Sequence, residues 1–503
     1  MGDLVANLSL GFGAAVTPGN LMFCFLGTLL GTLVGVLPGL GPITTIALLM
    51  PFAFSLEPVT ALIMLAGVFY GSQYGGSTSA ILTNIPGESA SVITCLDGHP
   101  MARQGRAGAA LAVAAWGSFI AGTVATLLIA VAAPLMAAVA LAMTSVEYCA
   151  LMLFGLVATV VLASGSVLNA ICMIMVGLLL GLVGTDVNSG TQRYVFGVPL
   201  LADGLDFVAL ATGLFGITEV IQTMIAARSP AAERTGEVKS VGLTGEEWRR
   251  SWKAILRGTG LGSLLGILPG SGGTIASFAS YALEKRVSKR PEEFGKGAIE
   301  GVAAPEAANN AGSQTSFVPL LTLGIPTNAT MAVLSGAMIV HGIQPGPKVI
   351  SEQPTLFWGL ICSMWIGNFM LLLINLPLAK LWARGMEIPQ RILAPAIVSI
   401  CCVGVYAVTN SFAALAIMAG FGVVGFVLRR LDCEPAPLVL GFVLGPLLEE
   451  NFRRAMMVAK GDLGVFVSRP ISLALLIATA LVLLSLSLPL VRRERSLLKE
   501  CEA

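Results

Sequence analysis

Charge is scarce in this chain. Only 11% of its 503 residues are Asp, Glu, Lys or Arg, against about 25% in an ordinary soluble domain. Histidine occurs twice, at His99 and His341, so a His-based transition-metal site is not expected. Aromatics make up 7%, too few for a surface that stacks bases, and basic residues form no stripe outside the loops, which excludes a nucleic-acid partner. The nine cysteines contain no CxxC and lie mostly in apolar runs, so they read as packing residues or free thiols. The opening stretch "MGDLVANLSLGFGAAV" has no basic leader region and reads as an amphipathic lead-in rather than a cleaved signal. No nucleophile–base pair, metal-ligand spacing or phosphate loop is present; the glycines at 270–273 lack the Lys-Ser/Thr of a P-loop. No enzyme activity, ATP hydrolysis or cofactor is expected.

What fills the chain is apolar. It is 55% hydrophobic, with mean hydropathy +0.86, the composition of an integral membrane protein. Residues 107–146, 148–185, 355–379, 392–428 and 471–491 carry no Asp, Glu, Lys or Arg. A span needs about 20 residues, so the longer runs read as two spans each, with breaks near Pro134, Ser164–Ser166 and Asn410.

Glycine is abundant and patterned. "GTLLGTLVGVLPGLG" (27–41) places Gly27, Gly31 and Gly35 one helical turn apart and then breaks at Pro38-Gly39. Shifted by 231 residues, "GTGLGSLLGILPGSG" (258–272) matches ten of its fifteen positions, including Pro269-Gly270. Small residues at every fourth position let helices approach backbone to backbone. The Pro-Gly breaks free backbone groups that must be buried in protein or line a wet cavity. Pro38, Gly39, Gly41, Pro269, Gly270 and Gly272 are therefore candidate cation-binding backbone, since open carbonyls hold cations.

Each ladder is followed by an uncharged but hydrogen-bond-rich segment: "GSQYGGSTSAILTNIPGES" (71–89) and "AGSQTSFVPLLTLGIPTNA" (311–329). Glu88 is the one charged residue in the two together. Neutral hydroxyls and amides can replace the water around a carboxylate or a sodium ion without fixing a charge beside it. Helix starts after Pro86 and Pro326 would aim free amides at an anion. The candidate substrate residues are Gly75, Gly76, Ser77, Thr78, Ser79, Asn84, Pro86 and Gly87 in the first segment. In the second they are Asn310, Gln314, Thr315, Ser316, Pro326, Thr327 and Asn328.

Glu300 and Glu306, in "GAIEGVAAPEAANN", are candidate intramembrane acids for cation coupling or proton relay. Glu147, Asp186, Asp203, Asp206 and Glu219 read as interfacial or structural. Glu449–Arg453 and Glu450–Arg454 have the favourable helical i, i+4 order.

Duplicated halves with interrupted segments in matching places point to a secondary transporter. Loop charge points to inversion of the halves. The loop at 52–58 has no Lys or Arg, whereas its counterpart 284–296 has five; 97–106 carries Arg103 and Arg106, whereas 341–354 carries Lys348 alone. The expected fold is an all-α polytopic membrane protein of two inverted repeats, with about 11–14 membrane helices and two interrupted, re-entrant hairpins near 71–96 and 309–340. The expected organisation is a first membrane repeat (1–227), a cytoplasmic linker (228–257), a second membrane repeat (258–491) and a basic tail (492–503).

Several blocks together resemble the large membrane subunit of the tripartite tricarboxylate transporter family: "LLGTLVGVLPGLGPITTIALLMPF", "YGGSTSAILTNIPGESASVITCLDGHPMARQGRAG", "EGVAAPEAANNA", "LTLGIPTNATMAVLSGAMIVHGIQPGP" and "GPLLEENFRRAMM". The resemblance runs from about residue 10 to residue 475 and departs at Thr327-Asn328, where the family pattern reads Gly-Ser. It implies a multi-pass carrier in the bacterial inner (cytoplasmic) membrane that imports a tricarboxylate or other carboxylate. It further implies uptake driven by a sodium or proton gradient, with Na+ a possible coupling ion. The implied partners are a small membrane subunit and a periplasmic solute-binding protein, and a homodimer of the whole complex is one assembly it allows. An anion channel or a membrane-embedded enzyme are the alternatives. The first would want a continuous lined pore, the second paired acids or a nucleophile within the membrane.

Overall fold

A computed structural model describes residues 2–37, 41–162, 166–186, 189–226, 241–268, 272–385 and 390–485. Among the described residues the chain is all-α apart from one two-stranded antiparallel ribbon, β1 (Gly184–Thr185) with β2 (Gln192–Arg193). The first half runs α1 (Gly2–Ala15), α2 (Pro18–Val36), α3 (Pro42–Phe54), α4 (Pro58–Thr83), α5 (Val92–Met101), α6 (Ala107–Leu141), α7 (Ser145–Leu162), α8 (Val167–Gly181), α9 (Phe207–Ala211) and α10 (Thr218–Ala226). The second runs α11 (Gly245–Gly266), α12 (Gly272–Val287), α13 (Glu300–Thr315), α14 (Phe317–Leu323), α15 (Ala329–Val340), α16 (Lys348–Glu352), α17 (Pro354–Gly385), α18 (Gln390–Thr409), α19 (Phe412–Arg430), α20 (Pro435–Val458), α21 (Val465–Ser468) and α22 (Pro470–Ser485).

Among the described residues, four helical stretches are long and apolar enough to cross a bilayer: Pro18–Val36, Ser89–Leu141, Pro354–Leu378 and Phe412–Arg430. Seven shorter apolar helices accompany them. The outer surface is apolar as well. Along α6, Leu127, Val131, Leu135 and Val139 stand exposed at helical spacing, Leu135 to 70%. A face of that kind is at home in lipid rather than in water.

The glycine ladders behave as their spacing requires. A Cβ on Gly27, Gly31 or Gly35 would lie 2.2–2.3 Å from the carbonyl oxygens of Met64, Val68 and Ser72, so α2 runs parallel to α4 with the backbones touching. The second ladder repeats the arrangement. A Cβ on Gly258, Gly262 or Gly266 would lie 2.3 Å from the carbonyl oxygens of Ala304, Ala308 and Gly312 on α13. After each ladder the chain turns back. Phe23 on α2 meets Phe52 on α3 with ring centroids 6.1 Å apart, and Arg257 on α11 pairs with Glu284 on α12 at 2.6 Å. The helices on either side of each Pro-Gly break thus lie side by side; Pro38, Gly39, Pro269 and Gly270 themselves fall outside the described residues.

Three sequence expectations are corrected. The run 107–146 is not two spans: α6 continues through Pro134 without a break. A proline inside a membrane helix is tolerated because neighbouring groups satisfy the freed carbonyl. Residues 245–257 are not linker: they form the polar first half of α11, started by a capping box in which Thr244 and Glu247 satisfy each other's backbone amides,. The hairpin segments are less interrupted than their glycines suggest. Gly71–Thr83 is the second half of α4, and the chain leaves the helix only at Asn84, which takes the left-handed conformation (φ 58°). In the second segment α13 and α14 carry the chain to Gly324 (φ 73°). The breaks near Ser164–Ser166 and Asn410 do separate α7 from α8 and α18 from α19, residues 163–165 lying outside the described set. The C-terminal tail lies outside it too.

α4 and α13 pack against each other in opposite directions. Phe69 and Tyr70 meet Phe317, just past the end of α13 at the start of α14, at ring distances of 6.3 and 5.9 Å, while Ser77, further along α4, meets Glu306 near the start of α13.

Candidate functional site

Both segments return to the middle of the molecule after their breaks, and each starts a new helix there. Glu88 caps a single 3-10 turn, Ser89–Ser91, that leads into α5, with Ser91 completing the capping box. Asn328 caps α15, its Oδ1 accepting from the Met331 amide at 2.9 Å. Gly41 is the N-cap of α3, and α12 begins at Gly272. The start of α20, at Glu434–Pro435, reaches the same place.

These starts surround a polar cavity of about 240 Å³. Its wall includes Gly41 and Ile43 of α3, Glu88 and Ser89, Gly273 and Thr274 of α12, Asn328 and Thr330 of α15, and Glu434 and Pro437 of α20. Ser89 and Thr274 touch through their hydroxyls at 3.1 Å, joining the first half to the second at the rim. Helix starts present unpaired amides and the positive end of the dipole, so their convergence suits an anion.

The floor comes from the two antiparallel helices. Gln73 on α4 and Asn309 and Ser313 on α13 line the cavity. Asn309 Nδ2 donates to Glu88 Oε1 at 2.9 Å. Gln73 Oε1 and Asn309 Oδ1 are buried and accept no hydrogen bond from any described residue. A buried acceptor without a donor costs about 1–3 kcal/mol, and a ligand bringing a proton or a positive charge would relieve it. The cavity thus offers donors at its helix starts and acceptors on its floor.

A second, smaller chamber of about 10 Å³ lies on the other face of the same helices. It is lined by Tyr74, Ser77 and Thr78 of α4, Ser118 of α6, Glu306 of α13 and Asn375 of α17. Glu306 is 1% exposed. Its Oε2 lies 2.5 Å from Ser77 Oγ, and its Oε1 is hydrogen bonded by Thr94. Asn310 Nδ2 donates to Ser118 Oγ at 2.6 Å and to the Glu306 carbonyl at 3.1 Å. On α13 Glu306 faces the chamber, with Asn310 bonded to Ser118 in its wall, while the pair Asn309/Ser313 faces the cavity.

The candidates named from sequence are distributed between these places. Gly41 and Asn328 line the cavity, and Gly272 adjoins its wall at Gly273. Ser77, Thr78 and Glu306 line the chamber. Gly75 packs against α2, where a Cβ would lie 2.3 Å from the Thr32 carbonyl oxygen. Gly76 and Gly87 let the returning tip rest on α4: a Cβ on Gly87 would lie 2.2 Å from the Gly35 carbonyl oxygen and 2.5 Å from Gly76 Cα. Ser79, Thr315 and Ser316 turn their hydroxyls onto their own helices, bonding the carbonyls of Gly76, Ala311 and Ser313. Asn84 ends α4, and Pro86 and Pro326 lie within the two breaks. Gln314 Oε1 and Thr327 Oγ1 are buried with no partner among the described residues, outside both spaces.

Glu300 is not a lone intramembrane acid. Arg250 grips both its oxygens at 2.7 and 2.8 Å, and a charge paired in this way is a structural tie. Glu147 with Arg469, Glu219 with Arg429 and Asp186 with Arg193 and Arg453 are ties of the same kind. Asp206 caps α9, and the Glu449–Arg453 and Glu450–Arg454 pairs form as the spacing required.

Gln73, Glu434 and Thr159, the last also in the cavity wall, were not singled out by sequence. Gln73 precedes the glycine-rich stretch by half a turn and becomes visible only once 71–83 is known to be helical. Thr159 and Glu434 arrive from α7 and α20, and nothing local marks them.

A sequence profile of the tripartite tricarboxylate transporter TctA family matches residues 21–440. An uncharacterised 52.8 kDa protein in the TAR-I ttuC' 3'region of Agrobacterium vitis is 56% identical over 500 residues, covering 98% of each chain. An uncharacterised protein in the TAR-II ttuC' 3'region of the same organism is 58% identical over 236 residues, 46% of this chain and 97% of its own. No solved structure matches at a significant level.

Proposed function

The chain belongs to the tripartite tricarboxylate transporter TctA family, and on that premise we propose that it is the carrier subunit of a binding-protein-dependent secondary transporter. It imports a tricarboxylate or other carboxylate across the bacterial inner membrane by cation symport. The family implies two partners, a small membrane subunit and a periplasmic binding protein that delivers the substrate.

The observation that carries this reading is the cavity ringed by helix starts from both halves. Its charge pattern favours symport over simple anion binding. Glu88 and Glu434 are in the wall and no Lys or Arg lines it among the described residues. A carboxylate substrate beside a carboxylate wall is repelled unless a cation enters with it. The unpartnered oxygens of Gln73 and Asn309 are suitable cation acceptors,. Substrate and cation then largely neutralise each other, which lowers the cost of carrying the loaded site past lipid.

The antiparallel meeting of α4 with α13, each seamed to its own ladder helix, supports two inverted repeats and hence alternating access by one bundle moving against another. An elevator-like movement suits hairpins that end at the cavity rather than at the surface.

The test is uptake into proteoliposomes holding this chain and its small membrane subunit, with the binding protein outside and radiolabelled citrate, then shorter di- and tricarboxylates, as probes. Saturable accumulation that requires an inward Na+ or H+ gradient is expected. Uptake indifferent to both gradients would overturn symport, and flux that never saturates would favour a channel.

A further inference from the structure

Glu306 sits where an ionised carboxylate is expensive. It is buried in the chamber, and moving a bare carboxylate out of water costs several kcal/mol even after the protein relaxes. Among the described residues no cation pairs with it. The titratable groups that face it are Tyr74 on α4, Cys95 on α5 and Glu88 at the tip of the first hairpin. α6 and α17 bring only Ser118 and Asn375 among polar groups lining the chamber. On α11 and α12, the remaining neighbours of α13, Arg257 pairs with Glu284, and Arg250 with Glu300 and Glu293.

The hydroxyl protons around it can be counted. Ser77 Oγ has one proton and two acceptors, the Gln73 carbonyl oxygen at 3.0 Å and Glu306 Oε2 at 2.5 Å. Thr94 supplies one further proton, to Glu306 Oε1. With Glu306 ionised, two protons must serve three contacts. With a proton on Glu306 Oε2, each contact has its own: Glu306 donates to Ser77, Ser77 donates to the Gln73 carbonyl, and Thr94 donates to Oε1. The hydroxyl inventory therefore fits the neutral acid.

We propose that Glu306 is the proton-carrying group of the transport cycle, with Ser77 and Thr94 as the positioning hydroxyls that hold its protonated form. This deepens the symport reading and rests on it. One O–H bond is the whole chemistry. The proton is taken from water on the side where the cavity is open, travels with the loaded bundle, and is returned to water on the other side. The chamber is tied to the substrate by shared walls. Gln73, whose carbonyl takes the Ser77 proton, lines the cavity with its side chain, and Asn309 and Ser313 belong to the same helix as Glu306. A change of protonation at Glu306 thus reaches groups that face the substrate.

Two measurements test it. Infrared difference spectra of the purified protein in lipid, wild type minus Glu306→Gln, are expected to show a protonated-carboxyl C=O band at neutral pH that fades as pH rises. No such band at neutral pH overturns the proposal, whatever the transport result. In proteoliposomes, Glu306→Gln imitates the neutral acid and keeps a donor for Ser77. It is expected to retain citrate counterflow while losing accumulation driven by a pH gradient. Accumulation that survives in Glu306→Gln, or a wild type driven by Na+ alone, overturns it. Should Glu306→Gln not fold, Ser77→Ala is the second variant. It removes the acceptor for the carboxyl proton and is expected to move the pH midpoint of wild-type uptake to lower pH; an unmoved midpoint overturns the proposal. Wild-type vesicles that neither exchange nor accumulate any carboxylate would instead sink the transport reading, while the infrared band would still report the proton.

Discussion

Asp97 on α5 and Gly297, two hundred residues later, are joined by a 2.8 Å hydrogen bond from the Gly297 amide to Oδ1. The same oxygen accepts from the amides of Gly295 and Ala298 at 2.9 Å, and Oδ2 accepts from the Tyr281 hydroxyl at 2.9 Å. One carboxylate thus organises the loop that leads into α13 and fastens the first hairpin to the second half. Gly301 keeps its place because a Cβ there would meet Asp97 Oδ2 at 2.1 Å.

Asp97→Ala strips three backbone amides of their acceptor, two of them, those of Gly297 and Ala298, buried. Each buried one costs about 1–3 kcal/mol when left unsatisfied, so a loss of at least about 2 kcal/mol of stability is expected. Asp97→Asn keeps one acceptor oxygen and is expected to be milder. Thermal unfolding in detergent ranks the two, and equal midpoints would refute the role.

The ladders predict a sharp contrast between glycines of one helix. Gly31→Leu on α2 and Gly262→Leu on α11 force a side chain into backbone at 2.3 Å. Overpacking costs about 1–3 kcal/mol even where side chains can yield, and here carbonyls cannot. Little folded protein is expected by size-exclusion of detergent extracts. Gly19→Leu has nothing within 4 Å of its Cβ and is expected to extract like wild type.

At the cavity floor, Gln73→Ala and Asn309→Ala remove acceptors rather than bulk that the fold depends on. Each is expected to raise KM for the carboxylate about tenfold, the ~1.5 kcal/mol of one hydrogen bond from a proton the ligand brings, with kcat changed less. Initial uptake rates against carboxylate concentration make the comparison.

The loop before α13 gives a pH dependence of definite sign. The Glu293 carboxyl is held below its usual range by the hydrogen bond from Arg250. A carboxyl lowered in the folded state contributes stability above its unfolded value and loses that contribution as pH falls through the folded one. Wild type is therefore expected to melt above Glu293→Gln at neutral pH, with the gap closing as the solution is acidified below the ordinary carboxylate range. A gap that widened on acidification would contradict it.

The spacing of Gly27, Gly31 and Gly35 and its echo at Gly258, Gly262 and Gly266 were enough to foresee two seamed helix pairs, because backbone contact leaves a period that composition cannot hide. The polar segments were harder to read. Glycine and hydroxyl residues weaken a helix in water, so 71–83 looks like a loop. In a membrane interior every backbone group must be satisfied within the segment, and the same residues stay helical to Thr83. Pro134 misled for a related reason. Which residues face the cavity was legible only in part: Gly41 and Asn328 were candidates, but Gln73 and Ser77 lie one turn apart yet serve different spaces. Thr159 and Glu434 enter from helices with no local signal.

The seams themselves limit how such a protein can move. Where carbonyl oxygens sit in the hollows left by missing side chains, no rotamer can flip to lubricate sliding, and a shift of one residue would drive backbone into backbone. Each ladder helix and its partner must travel as one stiff plank. Deformation is left to the short turns at 84–88 and 324–328, where a few dihedral angles act as the joint.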